Sequence, residues 1–278
     1  TYFFGSRNIW QYYENCSIID DNLIYIPSLN PCRFKNIEFD TILNFDENGR
    51  IPEKKITNYQ RSIVILGDSH AMGWGVNDNQ TFASKLNNLI DSPVLNFGVS
   101  SYATEREIQR LINWKHKDLV DLIIIQYSEN DLKENLNFPI KKEIAMNKYK
   151  SNKKSGVMNL FFKILRVYYN SIKDIFYKNQ FFNIDINFNN SKKHKENILR
   201  VLSNYQKYLE DKRIIIFYSN EWGKKFDKDW VEVIKYGNIK IEFVDLNFKT
   251  YHYFKIDDHL NELGHEYAAN QLYKLINK

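Results

Sequence analysis

From residue 61 onwards, short apolar runs alternate with stretches of helical spacing. The apolar runs predict buried strands at 62–66, 93–97, 119–127, 213–219 and 239–246. Between and after them, apolar residues three or four positions apart predict helices at 80–90, 104–116, 194–210, 228–237 and 261–278. This alternation is typical of a parallel sheet with helices on both faces. We therefore predict an α/β fold around five parallel strands.

Two helix starts carry capping signals. Thr104 is followed three residues later by Glu107, which predicts a capping box at the start of the second helix. Asn261 precedes the apolar spacing of the last helix and is predicted as its N-cap.

Two parts of the chain depart from this rhythm. Residues 1–60 are irregular, with short strands predicted within 22–29 and 37–45, and we interpret them as an extension packed on a main domain of residues 61–278. Residues 132–194 form an insertion rich in Lys, Asn and aromatic residues. Within it, 158–177 has the spacing of an amphipathic helix that packs on the domain, covers a site as a lid, or lies on a membrane surface.

Composition and charge restrict the classes of function. The net charge of +5 is mild, and the Lys-rich stretch 147–154 is typical of a solvated loop, so we expect no nucleic acid partner. No run of about 18 apolar residues is present, and neither is a signal-peptide pattern. Because the chain starts at Thr1 without Met, we allow for a missing upstream anchor that would hold the protein near a membrane.

The two cysteines, Cys16 and Cys32, both lie in the extension. They favour one disulfide over a metal site, because no cluster of His or Cys supplies four metal ligands. A disulfide would indicate an oxidising compartment. The alternative is a pair of free thiols in a cytosolic protein.

Candidate chemistry lies where the predicted strands end, which is where open parallel sheets bind ligands. Ser69 follows the first strand, Gly98 the second and Asn130 the third, and His259 stands just before the last helix with Asp257 beside it. A serine needs a base to accept its proton and donors for the oxyanion, which His259, the backbone at Gly98 and the Asn130 amide would provide.

Each candidate also has a structural alternative. Ser69 could cap a helix that begins near residue 71, and His259 could simply start the last helix. His265 is expected to pack or cap that helix, while His70 is expected to face substrate or to pack. Asp68 and Asp131 are expected to brace their turns through backbone N–H groups, and Trp74 could line a pocket or belong to the core.

Four blocks of sequence resemble the GDSL, or SGNH, hydrolase superfamily. They are "GDSHAMG" with Ser69, "NFG" with Gly98, "SEND" with Asn130 and "DDHLNELGH" with His259. The resemblance spans about 61–278 and implies a flavodoxin-like three-layer α/β/α fold. It also implies Ser69 as nucleophile and His259 as base, with the Ser69 and Gly98 N–H groups and the Asn130 amide as the oxyanion hole. The stretch "GDSHAMGWGV" is similar to an extracytoplasmic, membrane-anchored bacterial branch with a Cys pair ahead of the domain.

Two positions depart from the pattern of the superfamily. Ser128 stands where the third block usually has Gly, and Ile256 stands where the acid of Asp-x-x-His is expected. We assign the acid to Asp257, with Asp258 as the fallback. If neither reaches the imidazole, a Ser–His dyad with a backbone carbonyl remains.

The resemblance implies a serine esterase that needs neither metal nor cofactor. We expect an ester or acylated carbohydrate as substrate, with a short acyl group, in the periplasm or another extracytoplasmic compartment. The alternatives are an O-acetyltransferase acting on a glycan and an inactive homologue that binds glycan or protein.

Overall fold

A computed structural model describes residues 9–13, 15–154 and 190–277. Its twelve strands, numbered β1 to β12 along the chain, are Ser17–Asp20, Ile24–Pro27, Cys32–Lys35, Asp40–Leu43, Phe45–Asp46, Gly49–Arg50, Ser62–Leu66, Val94–Asn96, Val120–Tyr127, Arg213–Tyr218, Glu232–Tyr236 and Ile239–Val244. The α-helices, numbered α1 to α7, are Ser69–Met72, Phe82–Leu89, Thr104–Ile112, Asp131–Lys154, Ser191–Ser203, Gln206–Leu209 and Glu262–Ile276. Short 3₁₀ helices cover Trp10–Tyr12, Asp78–Gln80, Lys117–Leu119, Glu221–Gly223, Lys228–Trp230 and Thr250–His252.

The central sheet has eight strands in the order β11-β12-β10-β9-β7-β8-β6-β5. The five strands from β12 to β8 are mutually parallel, which confirms the five predicted from the apolar runs. Antiparallel β11 extends one edge, and antiparallel β6 and β5 extend the other. The sheet is therefore wider than predicted, because three short strands without a long apolar run join its edges.

Helices cover both faces of the sheet, as predicted for a three-layer fold. Alternate side chains of β7 point to opposite faces: Val64 joins the core under α3 and α5, whereas Ile63 joins the core under α2 and α7. The parallel strands are buried on both faces, which explains their nearly continuous apolar runs.

The predicted helix 228–237 is wrong. Only Lys228–Trp230 is helical, as a 3₁₀ turn, and Glu232–Tyr236 form β11. A two-residue connection, Gly237 and Asn238, returns the chain into antiparallel β12, with Gly237 at a φ of 59°. Gly-Asn between two stretches rich in β-branched residues is a hairpin signal. Residues 232–236 therefore form a strand paired with β12, although the spacing of their apolar residues also suits a helix.

The two capping predictions had different outcomes. Asn261 caps α7 by accepting the N–H of Gly264 at 3.0 Å, as predicted. The box at Thr104 is wrong, because Thr104 is the first helical residue of α3 and Ala103 occupies the cap position. The N–H of Glu105 is instead satisfied by the side chain of Asn135 on α4, at 3.0 Å, a distant partner that local sequence does not reveal.

The described part of the first sixty residues packs against the following chain through a third apolar core. Cys16 and Cys32 form a disulfide, which confirms the favoured alternative, and both are fully buried. Phe34 of the same cluster packs beside Trp74, and β6 pairs with β8 of the main sheet. The division into units 1–60 and 61–278 stays a prediction.

The start of the predicted insertion is a long helix. Helix α4 covers Asp131–Lys154 with non-helical angles at Lys141, and it buries Phe138 and Tyr149 against the N-terminal residues. The amphipathic stretch 158–177 lies outside the described residues, so its three possible roles stay predictions. None of the described helices is long and apolar enough to cross a membrane.

Candidate active site

Ser69 is held on a tight turn between β7 and α1. Asp68 caps α1 by accepting the N–H of His70 at 2.8 Å, which is the bracing predicted for it. Gly73 ends α1 with a φ of 86°, a left-handed conformation that suits glycine. The side chain of Arg50 approaches so closely that a Cβ at Gly73 would lie 2.5 Å from its Nη1. These constraints explain why an acid and a glycine bracket the serine.

Gln126 braces this turn from the neighbouring strand β9. Its Oε1 accepts the N–H of Asp68 at 3.1 Å and that of Ala71 at 3.2 Å. Its Nε2 donates to the hydroxyl of Ser128 at 2.8 Å, and the side chain is fully buried. The turn therefore keeps its orientation through a side chain from the centre of the sheet.

The structure brings Ser69, His259 and Asp257 into one hydrogen-bonded line. Ser69 Oγ lies 2.7 Å from His259 Nε2, although the two residues are 190 positions apart. His259 Nδ1 lies 2.5 Å from Asp257 Oδ1 and 3.3 Å from Asp258 Oδ1. Asp257, the first choice of the sequence analysis, is thus the nearer acid. When the ring is neutral and its Nδ1 proton is directed at Asp257, Nε2 can accept the hydroxyl proton.

The two acids control the protonation of the imidazole. Burial lowers the pKa of His259, but hydrogen bonds and charges from Asp257 and Asp258 outweigh it and raise the pKa to about 9. Burial raises the pKa of Asp257, but its hydrogen bond with His259 outweighs this and the net pKa lies below the usual range. The site therefore favours an imidazolium beside a carboxylate, which is the charge pair that general base catalysis creates.

Two further rings surround the imidazole of His259. The indole of Trp74 stacks on it and donates Nε1–H to Asp257 Oδ2 at 3.2 Å. The ring centroid of His70 lies 4.8 Å from that of His259. Burial, together with repulsion from His259, lowers the pKa of His70 to about 4, so His70 is neutral at pH 7.

A cavity of about 290 Å³ opens in front of Ser69. Polar side chains on its wall include those of Ser100, Ser101, Ser128, Asn130, Ser219 and Asn220, beside apolar surface from Ile9 and Trp74. Asn130, the predicted oxyanion donor, thus lines the same cavity as Ser69 and His259. Asp131, the next residue, accepts the N–H of Ser128 at 3.2 Å and so braces this loop as predicted.

The predicted donor at Gly98 is not brought to the cavity. Its N–H donates to Asn96 Oδ1 at 3.0 Å, and Gly98 is not among the residues that line the cavity. The glycine serves close packing, because a Cβ there would lie 2.3 Å from the backbone nitrogen of Met72. Ser101 lines the cavity instead and has a φ of 61°.

Donor atoms of Asp257, Asp258 and His259 lie within 4.8 Å of one another, a spacing that could also suit a metal ion. Both ring nitrogens of His259 are already engaged, one with Ser69 and one with Asp257. Hydrogen bonding therefore accounts for the arrangement. Among the described residues, no other group of three such side chains lies this close together.

The sequence model of the GDSL-like Lipase/Acylhydrolase family matches residues 63–272 of this chain. The chain belongs to this family. No curated protein matches it.

Solved structures of the same family are similar at low identity. A member of the lipolytic protein G-D-S-L family from Veillonella parvula DSM 2008 is 12% identical, with a TM-score of 0.44, over 78% of this chain and 98% of that one. A protein assigned to the lipolytic G-D-S-L family, from Desulfitobacterium hafniense DCB-2, is 11% identical, with a TM-score of 0.40, over 78% of this chain and 99% of that one.

The structure accounts for both departures from the pattern of the GDSL family. Ser128, in place of Gly, joins Gln126 to the next strand by donating its hydroxyl to the carbonyl of Ser219 at 3.3 Å. The acid displaced from position 256 is supplied by Asp257, whose Oδ1 also accepts the N–H of His259 at 3.2 Å. A backbone carbonyl is not needed to orient the ring.

Sequence reasoning missed Gln126 and did not predict the contact that Trp74 makes with the acid. Gln126 was counted as part of an apolar strand, and the signal that could have found it is a lone amide at the carboxyl end of a buried strand. Trp74 lines the cavity, which is one of the two alternatives given for it, but nothing in the local sequence shows that its indole reaches a residue 183 positions away. By contrast, His265 packs as expected: it is fully buried and its Nδ1 accepts the N–H of Phe82 at 3.2 Å.

Proposed function

We propose that this member of the GDSL family is a serine ester hydrolase that removes a short acyl group. The observation that carries the proposal is the line of contacts from Ser69 Oγ through His259 to Asp257, at 2.7 Å and 2.5 Å. This spacing matches the hydrogen-bonding range in which a base accepts the proton of a nucleophile.

In the proposed reaction, His259 accepts the Ser69 proton while Ser69 Oγ attacks the ester carbonyl. The new C–O bond converts the carbonyl to a tetrahedral oxyanion, and His259 then gives its proton to the departing alcohol as the ester C–O bond breaks. Water, deprotonated by His259, then attacks the acyl-enzyme. The bond between the acyl carbon and Ser69 Oγ breaks, His259 returns the proton to Ser69 Oγ, and the carboxylic acid is released. Asp257 balances the charge of the imidazolium in both steps.

The oxyanion needs donors that face the cavity. We assign two of them to the N–H of Ser69 and the side-chain amide of Asn130, which both border the cavity. In place of Gly98 we assign the third to the backbone of Ser101, which lines the same cavity. One such donor contributes about 3 kcal/mol to lowering the barrier.

The size of the cavity and the polar groups on its wall support a small substrate with hydroxyl groups. A volume of about 290 Å³ is at the lower end for ligand pockets and leaves little room for a long fatty acyl chain. Hydroxyl and amide groups from Ser100, Ser219 and Asn220 suit the hydroxyl groups of a sugar. We therefore propose an acetyl or similar ester on a carbohydrate of the cell envelope as the substrate class.

The disulfide supports a location outside the cytoplasm, since such bonds persist in oxidising compartments. We propose a periplasmic or otherwise extracytoplasmic site of action, near a membrane if an anchor precedes residue 1.

The test compares the wild type with Ser69→Ala on p-nitrophenyl acetate and on an acetylated oligosaccharide, together with labelling by a fluorophosphonate probe. We expect hydrolysis and labelling in the wild type and neither in the variant. Failure of the probe to label Ser69 would indicate an inactive homologue. If a second sugar acceptor is supplied and acquires the acetyl group faster than acetate is released, the protein is a transferase rather than a hydrolase.

A further inference from the structure

The loop that carries Asp257 has little apolar anchoring of its own. Lys255 and Ile256, the two preceding residues, are exposed, and Ile256 is 65% exposed. Phe254, just before them, packs on Phe39, but the backbone of 255–257 itself depends on polar contacts from elsewhere.

Those contacts come from Glu38 in the N-terminal extension. Its carboxylate accepts three consecutive backbone N–H groups, from Lys255 at 2.8 Å, Ile256 at 2.9 Å and Asp257 at 2.6 Å. Hydrogen bonds from N–H groups to a charged carboxylate are about twice as strong as neutral ones. One side chain thus fixes the backbone of the whole loop.

Asn36 binds the carboxylate of Asp257 directly. Its Nδ2 donates to Asp257 Oδ2 at 3.1 Å, while Oδ1 of Asp257 faces His259. Oδ1 of Asn36 accepts the N–H of Glu38 at 2.7 Å and that of Phe39 at 3.2 Å. The amide therefore shapes the turn 36–39 and binds the acid at the same time.

The turn 36–39 has firm support beneath it. It connects β3 and β4, and β3 begins at Cys32, which is tied to Cys16. Phe34 of β3 packs edge-on against Trp74, with ring centroids 4.6 Å apart. The turn is thus held by the core that also contains the ring stacked on His259.

We propose that Asn36 and Glu38 are positioning residues that hold loop 255–257 so that Asp257 stays in contact with His259. The inference rests on the proposed function, in which Asp257 supports the base. It assigns a role in the reaction to a segment outside the residues that the family pattern covers, since that match begins at residue 63.

The proposal predicts a loss of rate rather than of binding. Neither Asn36 nor Glu38 lines the cavity, so substrate contacts stay intact when they are changed. A carboxylate released from them no longer stays aligned with the ring, and the imidazolium formed during the reaction loses its partner.

The experiment uses the full chain with Glu38→Ala and Asn36→Ser, and with Ile37→Ala as the matched control. Ile37 lies between them on the same turn and is 89% exposed. We expect kcat for p-nitrophenyl acetate to fall about tenfold in Glu38→Ala and in Asn36→Ser. A loss of this size corresponds to one ordinary hydrogen bond to a charged group. KM should stay within about twofold, because neither side chain reaches the cavity. Ile37→Ala should match the wild type, and Glu38→Gln, which keeps one acceptor oxygen, should recover part of the rate.

Asn36→Ser also protects the test against a folding defect, because a serine hydroxyl can still accept the N–H groups of the turn while lacking the amide donor to Asp257. A double-mutant cycle then separates positioning from general damage. Added to Asp257→Ala, Glu38→Ala should cost nothing more, since a residue that acts through Asp257 has nothing left to position. A further tenfold loss in that background overturns the proposal.

A second readout does not need turnover. NMR titration of the His259 ring should show a lower pKa in Glu38→Ala and Asn36→Ser than in the wild type, because the carboxylate no longer holds the imidazolium. An unchanged pKa in both variants overturns the proposal. If the ring responds but no ester is hydrolysed and Ser69 is not labelled, the proposed function fails while the positioning role stands.

Discussion

The indole of Trp74 lies flat against the imidazole of His259, with ring centroids 4.6 Å apart and 10° between the planes. The same indole donates a hydrogen bond to Asp257. The π face of the indole next to an imidazolium is electrostatically favourable. The hydrogen bond from Trp74 restrains the carboxylate of Asp257 beside the His259 ring. One side chain thus restrains both partners of Ser69.

Replacing Trp74 with Phe separates these two roles. The ring contact with His259 is largely kept, whereas the hydrogen bond to Asp257 is lost. A hydrogen bond to a charged group contributes about 1.5 kcal/mol or more, so we expect kcat to fall about tenfold or more. The measurement is kcat on p-nitrophenyl acetate. Trp114→Phe is the control, because its indole donates to Asn48 at 3.1 Å and does not line the cavity. Equal losses in the two variants would show that Trp74 acts only through general packing.

The activity should depend on pH through His259. The ring accepts a proton only when neutral, and its pKa is raised to about 9, so kcat/KM should increase with pH and level off above about 9. Asp257→Asn removes the charge that holds the proton, so the midpoint should move to lower pH while the plateau falls. Asp121→Asn, an exposed carboxylate paired with Arg61, should leave the midpoint unchanged. If Asp257→Asn leaves the midpoint of the pH profile unchanged, Asp257 does not control the pKa of the group that titrates.

Gln126→Leu should loosen the turn that carries Ser69. The buried N–H groups of Asp68 and Ala71 would lose their acceptor, at about 1–3 kcal/mol for each unpaired group. We expect a free energy of unfolding lower by about 2 kcal/mol or more, together with slower fluorophosphonate labelling of Ser69. Urea denaturation and labelling rates test this. The same change at Gln109, a half-buried residue that donates to Glu105 one turn earlier in α3, should affect neither by a comparable amount.

The disulfide should contribute to stability through the loop it closes. Cys16 and Cys32 are 16 positions apart, and closing a loop of this length stabilises a protein by about 3 kcal/mol. The double variant Cys16→Ser, Cys32→Ser should lose about this free energy of unfolding in urea denaturation. Dithiothreitol should destabilise the wild type and leave the double variant unaffected. A wild type that resists the reductant while the variant is destabilised would point to packing of the sulfur atoms, which are fully buried.

Much of the fold could be predicted because it follows from local periodicity. The strand at 62–66 was predicted with its observed ends, since a strand buried on both faces is a continuous apolar run. Strand β11 could not be found this way, because it is an exposed edge strand stabilised by pairing with β12. Helix α4 was missed because only part of its length is buried, so its apolar positions do not form a regular stripe.

The site was predictable to a similar degree. Ser69, Asn130 and His259 could be named because each stands where a strand ends or a helix begins, and the family pattern orders them. The donor at Gly98 could not be judged, since the partner of its N–H, Asn96, is visible only in the structure. The contacts of Asn36 and Glu38 with loop 255–257 could not be predicted from the sequence. They join residues 217 to 221 positions apart, and no local periodicity indicates such a contact.

The contacts between Glu38 and loop 255–257 also set an order of events during folding. Glu38 is synthesised more than two hundred residues before its partners, and closing so long a span is slow relative to forming local helices and hairpins. The nascent chain therefore carries its serine before the base and the acid have been synthesised. Hydrolytic competence would then arise in the last stage of assembly, when the C-terminal segment docks on a scaffold formed long before.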